Sequence, residues 1–410
     1  MKVLIQNSVF YPKVLGGAEM SSWLLAVELT RRGWEVDAMA TTGNHGRAST
    51  ISTRPIPEAN GVVFESPGSG LVDIFVDGAP PAEPNILVRG LHHFSQIRSL
   101  RWERIAHEIL EKAKPDLLHT NTIVGQTGSI WRAARERKIP VLHTLRDYFL
   151  LCPRTTLLRS SGVDCENAPW PCRILRSGKL PATECVDAVT APSRFVLEKH
   201  TDAGAFPDAL REVVPNACER ILEDLPERTG EGETRGLYLG QIDHHKGIGL
   251  LIEALEALLG EESHDLEFDF AGAGPMEGEL RRFCSRYPDR VRFHGMVAGD
   301  AKAELLSRAH FVTVPSVWND NFPRTMLDAF SYGLPVIGTR RGGIPEVVRD
   351  GVDGILIDPD PAELAGAIRL YLGDPGLRLR HGGSGHLRAR DYTLDRQVDR
   401  FEELYRRLTG

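Results

Sequence analysis

The sequence predicts an α/β protein with two Rossmann-like, doubly wound domains. Short, β-branched apolar runs alternate with amphipathic helical segments along the chain, which is the pattern of a parallel sheet with crossover helices. Several of these runs end in polar residues or glycine, as strands do at the ligand-binding edge of such a sheet. A length of 410 residues is sufficient for two domains that each have a hydrophobic core.

The elements of the first half follow from this periodicity. Each apolar run of strand length predicts a strand, and each segment of period 3.6 between two strands predicts a helix. The predicted strands are residues 2–7, 35–41, 62–64, 116–121, 140–148 and 187–193, and the predicted helices are 18–32, 91–114, 125–138 and 194–200.

The second half repeats the same pattern. Its first predicted strand begins at Gly236 and leads into a helix that ends at Leu259. We place the domains at 1–215 and 216–385, with a Cys-bearing insertion at 152–185 and a last helix at 386–410 that packs back on the first domain. Further predicted strands are 266–271, 291–295, a run ending at 315 and a run ending at 338, with helices after 275 and at 361–372 and 376–408.

Two aspartates in the second half indicate a sugar-binding site. The apolar run that ends at Pro315 is followed by a polar loop and then by a helical segment that a glycine ends. Asp320 lies in the loop and Asp328 eight residues later on the helix, so both carboxylates can face one site. Ionised carboxylates only accept hydrogen bonds, which suits the neighbouring hydroxyl groups of a sugar. The alternative is that Asp320 caps the helix and Asp328 is a solvated helix residue.

This stretch resembles glycosyltransferase family 4, the retaining sugar-nucleotide transferases with the GT-B architecture. In that family two acids with seven residues between them occupy the positions of Asp320 and Asp328. The resemblance covers nearly the whole chain, because further family motifs occur in the same order. They are Gly16-Gly17-Ala18-Glu19, Pro215-Asn216, Lys246-Gly247 and Gly342-Gly343-Ile344-Pro345-Glu346.

The resemblance implies two domains that face each other across a cleft, and sugar transfer from a nucleoside-diphosphate donor to an acceptor hydroxyl with retention of anomeric configuration. It also implies roles for individual residues. The donor diphosphate is assigned to Gly16, Gly17, Gln241 and Lys246, the donor sugar to Asp320, Asn321, Phe322, Pro323 and Arg324, the ribose to Asp328, the base to Met296 and Val297, and catalysis to His143, Arg146 and Asp320.

The chain departs from the family pattern at three of these positions. Gln241 replaces an arginine that clamps the diphosphate, Arg146 replaces a histidine near the donor sugar, and Pro323 replaces a glycine. Arg146 can bind a phosphate or an acidic sugar but cannot act as a base. We hypothesise that Arg146 or Arg324 supplies the positive charge that Gln241 lacks. His143 has an alternative role as a structural histidine at a strand end.

The resemblance also implies that no metal or other cofactor is required, because cationic side chains and N–H dipoles stabilise the leaving diphosphate. Six cysteines occur, at 152, 165, 172, 185, 218 and 284. Cys152, Cys165, Cys172 and Cys185 lie in the insertion, but their spacing differs from that of typical zinc sites. We expect reduced, unligated thiols, with a structural zinc as the alternative.

Composition and charge limit the partners and the compartment. The chain is 41% hydrophobic and 26% charged, and it has neither an apolar run of membrane-span length nor a secretion signal. We therefore expect a cytoplasmic protein. Residues 1–190 carry 22 Lys and Arg against 19 Asp and Glu, whereas the remainder carries 27 against 37. The basic half is compatible with an anionic acceptor or with peripheral contact at the inner face of the membrane.

The acceptor is expected to be a glycan, a lipid-linked sugar or a small molecule, and no nucleic-acid-binding signature occurs. Three alternatives remain to the transferase. They are a non-catalytic sugar-nucleotide-binding protein of the same architecture, a sugar-nucleotide 2-epimerase and an oxidoreductase. The last is disfavoured because Gly272-Ala273-Gly274 lacks the full glycine spacing and the acidic residue of a dinucleotide site.

Overall fold

The computed structural model describes residues 1–13, 16–41, 51–66, 86–159, 162–228, 233–260 and 265–410, and of residues 86–89 only the backbone. The contacts divide the chain into two compact units. Unit 1 comprises Met1–Leu157, Cys165–Pro215 and Leu394–Gly410, and unit 2 comprises Leu158–Asp164 and Asn216–Thr393.

Unit 1 is built on an eight-stranded sheet that helices cover. Its elements in chain order are β1 (Lys2–Gln6), α1 (Gly17–Arg31), β2 (Glu35–Thr41), β3 (Ser52–Pro55), β4 (Val62–Ser66), α2 (Ile86–Ser95), α3 (Leu100–Ala113), β5 (Leu117–Thr120), α4 (Ser129–Glu136), β6 (Val141–Thr144), α5 (Trp170–Lys179), β7 (Ala188–Ala191), α6 (Arg194–Thr201) and β8 (Leu210–Val213).

The strand order in unit 1 is β3-β4-β2-β1-β5-β6-β7-β8. All neighbours are parallel except β3 and β4, which pair antiparallel. The central strands read as nearly continuous apolar runs because helices cover both faces of a parallel sheet. The carboxyl ends of β1, β5 and β6 therefore lie side by side at the middle of one sheet edge, where ligands bind in this class of fold.

Unit 2 is built on a second sheet, in which all six strands are parallel. Its elements are β9 (Thr234–Leu239), α7 (Ile248–Leu259), β10 (Leu266–Ala271), α8 (Glu277–Arg286), β11 (Val291–Phe293), α9 (Gly299–Arg308), β12 (Phe311–Val314), α10 (Arg324–Ser331), β13 (Val336–Thr339), α11 (Ile344–Val347), β14 (Gly354–Ile357), α12 (Pro361–Gly373) and α13 (Pro375–Ala389).

The strand order in unit 2 is β11-β10-β9-β12-β13-β14. The chain winds outward from β9 in one direction and then crosses back to β12, so the order reverses between these two strands. Such a switch point leaves room for a ligand, because the loops on either side depart in opposite directions. The loops after β9, β12 and β13 therefore lie closest to this position.

The last helix, α14 (Leu394–Thr409), belongs to unit 1. Phe401 and Tyr405 are buried in the core of that unit, and the Tyr405 hydroxyl lies 2.6 Å from Nδ1 of the buried His119. The sequence predicted that this helix begins at residue 386. In the structure α13 continues to Ala389 within unit 2, and a 3₁₀ turn at Arg390–Tyr392 separates it from α14.

Two further predictions needed correction. The helix predicted at 91–114 is two helices, because the side chain of Ser99 accepts a hydrogen bond from Trp102 N and so begins a new helix. The insertion at 152–185 was assigned wholly to the first domain, but Leu158–Asp164 belongs to unit 2. No helix of the described residues is long and apolar enough to cross a membrane.

Candidate functional site

Glycines bring three loops of unit 2 into backbone contact at the carboxyl ends of β9, β12 and β13. Gly247 has φ +78°, and a Cβ there would lie 1.9 Å from Pro315 O. Gly342 has φ +56°, and a Cβ there would lie 2.1 Å from Asp320 O. The N–H of Gly343 donates to the same Asp320 oxygen at 2.7 Å. A side chain at either close approach would push the loops apart, so these positions require glycine.

Asp320 is the centre of this arrangement. Its side chain is buried, and Lys246 Nζ donates to Oδ2 at 2.6 Å. The Ser316 hydroxyl and the Trp318 indole N–H also donate to Oδ2, at 3.0 and 3.1 Å. Three donors on one oxygen fix the orientation of the carboxylate. The described hydrogen bonds to this side chain all reach Oδ2, so Oδ1 is the atom that would accept from a ligand.

Lys246 is itself held by its surroundings. Its ammonium lies 5.0 Å from the centre of the Trp318 ring, and the His245 ring meets Trp318 edge-on. The His245 carbonyl accepts from the N–H groups of Val317 and Trp318 at 3.1 and 3.3 Å. Lys246 therefore sits where the loops after β9 and β12 cross, and its side chain is one-fifth exposed, with donors left for a second acceptor.

Asp328 lies on α10 in an alternating network of charges. Lys302 Nζ on α9 is 2.8 Å from its carboxylate, and Glu219 accepts from Lys302 and Arg324 at 3.5 and 3.0 Å. Burial by itself would lower the pKa of Lys302, but the charges of Asp328 and Glu219 outweigh it and raise that pKa. Lys302 is a residue that the sequence analysis missed, since a single lysine in a helix after a loop carries no signal.

The loops after β9, β10 and β11 meet through their backbones. Gly272 has φ +147°, a Cβ there would lie 1.7 Å from Gly240 O, and its N–H donates to Gly295 O at 2.7 Å. Met296 and Val297 follow directly, and Met296 is 71% exposed. Met296 is thus accessible at the edge of the sheet, and the role of Met296 and Val297 in base binding stays a prediction.

Two family models match this chain. The model described as "Glycosyl transferases group 1" matches residues 233–374, and the one described as "Glycosyl transferase 4-like domain" matches residues 16–217. The two matches together span most of the chain, and one lies in each half. The chain belongs to the group 1 glycosyl transferases. It is therefore an enzyme that transfers a sugar from a nucleotide donor, and the predicted family and fold class are confirmed.

The chain is also similar to curated proteins over most of its length. The glycosyltransferase is 26% identical to a D-inositol 3-phosphate glycosyltransferase of Corynebacterium diphtheriae, over 95% of this chain and 89% of that protein. It is 24% identical to an uncharacterized 42.6 kDa protein in the cps region of Klebsiella pneumoniae, over 85% of this chain and 88% of that protein.

Solved structures are similar over the full length. Sucrose-phosphate synthase from Thermosynechococcus elongatus matches with a TM-score of 0.73 at 19% identity, covering 99% of this chain and 98% of that one. Anabaena HepE in complex with UDP matches with a TM-score of 0.70 at 17% identity, covering 100% of both chains. At these identities the likeness establishes the GT-B fold alone.

In unit 1 of the glycosyltransferase, the glycine pair begins α1 as expected. The Gly16 N–H donates to the buried carboxylate of Glu19 at 2.8 Å, three residues later. This internal cap uses the N–H of Gly16, which the resemblance assigned to the diphosphate. Gly17 is the first residue of the helix, where free N–H groups and the helix dipole favour an anion. Its diphosphate role stays a prediction.

His143 lies in the core of unit 1. It is 3% exposed, its Nδ1 lies 2.9 Å from the Thr120 hydroxyl, and its ring stacks on Phe206 and meets Trp131 edge-on. Burial, together with the nearby His200, lowers the pKa of His143 to about 3, so the ring is neutral. These contacts favour the structural alternative for His143 over the catalytic one.

Arg146 follows β6 and is partly exposed, with its Nε donating to Asn121 Oδ1 at 3.2 Å. The neighbouring Asp147 accepts from Phe149 N at 2.7 Å. Burial raises the pKa of Asp147 to about 6, although that hydrogen bond and Lys179 oppose the shift. Arg146 and Asp147 thus place a fixed positive charge and a carboxyl that titrates near neutral pH at the ligand-binding edge of the first sheet.

The structure places Gln241, Phe322 and Pro323 in different surroundings. Gln241 is exposed, and its backbone carbonyl accepts from the Tyr238 hydroxyl at 2.6 Å. Phe322 is buried in the core of unit 2, and its carbonyl accepts from Asn216 Nδ2 at 3.2 Å. The packing therefore favours a core role for Phe322. Pro323 is the N-cap residue that precedes α10, a position whose N–H has no partner within the helix.

Two remaining donor-sugar assignments differ in their surroundings. Asn321 is buried and directly follows Asp320 in the chain. Its contact with the sugar stays a prediction. Arg324 is mostly buried and paired with Glu219. This carboxylate partly neutralises the positive charge that we hypothesised for the leaving group. All six cysteines are free thiols, and among the described residues no group of three or more His, Cys, Asp and Glu is arranged to hold a metal ion.

Gly342→Ala should cost more stability than Gly351→Ala. Both positions have positive φ, +56° and +71°, so each alanine adds a strain of about 1–2 kcal/mol. Only at Gly342 would the Cβ meet other atoms, those of Asn319 and Asp320, and this should add roughly 1–3 kcal/mol. The measurements are urea unfolding and donor titration. Equal losses in the two variants would contradict the close approach between the loops.

Proposed function

We propose that this glycosyltransferase uses a nucleoside-diphosphate sugar, which unit 2 holds, and transfers the sugar to an acceptor hydroxyl with retention of anomeric configuration. The observation that carries the proposal is the ion pair between Lys246 and the buried Asp320 at the switch point of the second sheet. The pair sets a cation beside an oriented hydrogen-bond acceptor. A site that binds the junction of a diphosphate and a sugar requires both groups.

The chemistry needs charge stabilisation more than proton transfer. The bond between the anomeric carbon and the β-phosphate oxygen breaks, and its electron pair stays on the diphosphate. The acceptor oxygen forms the new bond and its proton passes to the leaving phosphate. Lys246 would neutralise the charge that develops on the leaving group, and Asp320 Oδ1 would accept from sugar hydroxyls. A preorganised cation in a partly buried site contributes more than the same charge in water.

Asp328 is proposed to bind the ribose. Lys302 uses one of the acceptor positions of its carboxylate, and an ionised carboxylate has about four. The remaining positions suit two neighbouring hydroxyl groups. A solved structure of the same fold, Anabaena HepE, is named as a complex with UDP, and this supports a ribonucleotide donor.

The test is a panel of nucleoside-diphosphate sugars with candidate acceptors, in which release of nucleoside diphosphate and the anomeric configuration of the product are measured. Transfer with retention supports the proposal. Inversion would overturn its stereochemical part. Donor conversion without an acceptor would favour an epimerase, and binding of every donor without turnover would favour a non-catalytic protein.

Lys246→Ala and Asp328→Asn should each weaken donor binding by roughly 10- to 100-fold, because each removes a charge-assisted contact. The loss in Asp328→Asn should shrink with a 2′-deoxyribonucleotide donor, which lacks one of the hydroxyl groups. Calorimetric titration measures both effects. Arg282→Ala, an exposed residue on α8, is the matched control. Unchanged donor affinity in both variants would contradict the assignment.

We also propose that transfer needs no metal ion. Lys246 supplies the positive charge at the place where a divalent cation would otherwise neutralise the diphosphate. Activity should therefore persist in excess EDTA, with less than about twofold loss in kcat/KM. A loss that added Mg²⁺ or Mn²⁺ restores would show that a metal takes part.

A peripheral membrane contact of unit 1 is proposed on the basis of its exposed side chains. Leu91 and Phe94 on α2 are 60% and 57% exposed, and Trp170 on α5 is 73% exposed. The two helices are near each other, since a Cβ on Gly178 of α5 would lie 2.7 Å from Ile97, just after α2. Apolar side chains with exposed arginines nearby, such as Arg101 and Arg173, suit an anionic lipid surface.

In a flotation assay the wild type should bind vesicles that contain phosphatidylglycerol and should bind neutral vesicles less. Phe94→Asp with Trp170→Asp should reduce binding by roughly 10-fold, since two apolar contacts are lost. Leu387→Asp alters a side chain of unit 2 that is 64% exposed and should have no effect. Equal binding by the double variant and the wild type would contradict this contact.

A further inference from the structure

A short segment of the insertion packs against the donor-sugar loops of unit 2. Leu158–Asp164 belongs to unit 2, although the residues on both sides of it belong to unit 1. Leu158 and Asp164 form an antiparallel bridge, and Arg159 N donates to Val163 O at 2.9 Å. The bridge fixes the position of Asp164.

Asp164 contacts two different loops through its two oxygens. Its Oδ2 lies 2.5 Å from Arg341 Nη1, and its Oδ1 lies 3.4 Å from Asn319 Nδ2, a longer contact. The side chains of Asp164 and Arg341 are 27% and 30% exposed, so water only partly screens their pair. One carboxylate thus joins the loop after β12 to the loop after β13.

Both contacted residues are adjacent to the donor-sugar acid. Asn319 directly precedes Asp320 in the chain. Arg341 directly precedes Gly342 and Gly343, whose backbone atoms meet Asp320 O. A shift of either loop would therefore move the Asp320 carboxylate, and displacements of about 1 Å are enough to impair a binding or catalytic site.

We propose that Asp164 is a positioning residue for the donor sugar and that it acts through Arg341 and Asn319. The proposal rests on the proposed function, because it assigns Asp320 to the sugar. It adds a residue from the insertion to the determinants of donor recognition. An ordinary surface ion pair of the same geometry would contribute about 0–1 kcal/mol to stability and would not distinguish one ligand from another.

The specific consequence is a difference between two ligands. In the proposed arrangement, a nucleoside diphosphate without a sugar contacts Lys246 and Asp328. Binding of the sugar depends in addition on the orientation of Asp320. Loss of Asp164 should therefore weaken the sugar-bearing donor and leave the diphosphate nearly unaffected. A purely structural role would weaken both ligands equally or would affect neither.

The experiment compares the intact chain with Asp164→Asn, Arg341→Gln and the double variant. Titrations use UDP and UDP-glucose as probes, together with any other donor that the panel identifies, and kcat and KM are measured with that donor. Asp164→Asn and Arg341→Gln should each weaken sugar-nucleotide binding by roughly 10-fold, and the double variant should be no worse than either single one. Binding of the nucleoside diphosphate should change less than about twofold.

Two controls separate positioning from general damage. Glu166→Gln alters an exposed carboxylate two residues away and should leave both affinities unchanged. Asp164→Glu keeps the negative charge and should bind the sugar nucleotide more tightly than Asp164→Asn does. Equal effects on the two ligands, no effect on either, or additive losses in the double variant would overturn the proposal. Failure of the wild type to bind any sugar nucleotide would instead overturn the proposed function, and this inference with it.

Discussion

The ion pair between Lys246 and the buried Asp320 is the interaction on which the organisation of unit 2 depends. A carboxylate at this depth requires a cation and further donors, since an unpaired charge would cost several kcal/mol. Lys246, Ser316 and Trp318 supply three donors from two loops, all to the same oxygen. The pair therefore fixes the relative position of the loops after β9 and β12 and leaves one carboxylate oxygen oriented for a ligand.

Glycine is the second constraint on the same place. The pair can form only if the loops approach each other at backbone distance, and Gly247 and Gly342 make this possible because neither has a Cβ. Both have positive φ, which other residues adopt at a cost. The contact of Asp164 with Arg341 extends the arrangement to a segment that is remote in the sequence. Charge, close approach and backbone conformation thus act together on one side chain, Asp320.

Unit 1 uses its polar residues differently. His119 and His143 lie at the ends of neighbouring strands, and both are buried and hydrogen-bonded within the core. Burial lowers the pKa of both, so they pack as neutral aromatic rings. The side chains at the accessible edge are those of Arg146 and Asp147, two and three residues beyond Thr144, where the strand that carries His143 ends. A strand exposes its carboxyl end, so the residues just after it are better placed for a ligand than those within it.

The sequence by itself determined the two doubly wound domains, the family, and Lys246 and Asp320 as separate candidates for the diphosphate and the sugar, because alternating apolar runs, glycine positions and motif spacing are local properties. That Lys246 and Asp320 pair with each other was decided by the tertiary structure. The tertiary structure decided which polar residues are in the core and which face solvent. The sequence predicts Phe322 and His143 as site residues. Both are buried, because residues that are remote in the sequence pack against them. Lys302 and Asp164 carried no signal in the sequence, since an ion pair between remote residues exists only when the fold brings both charges together.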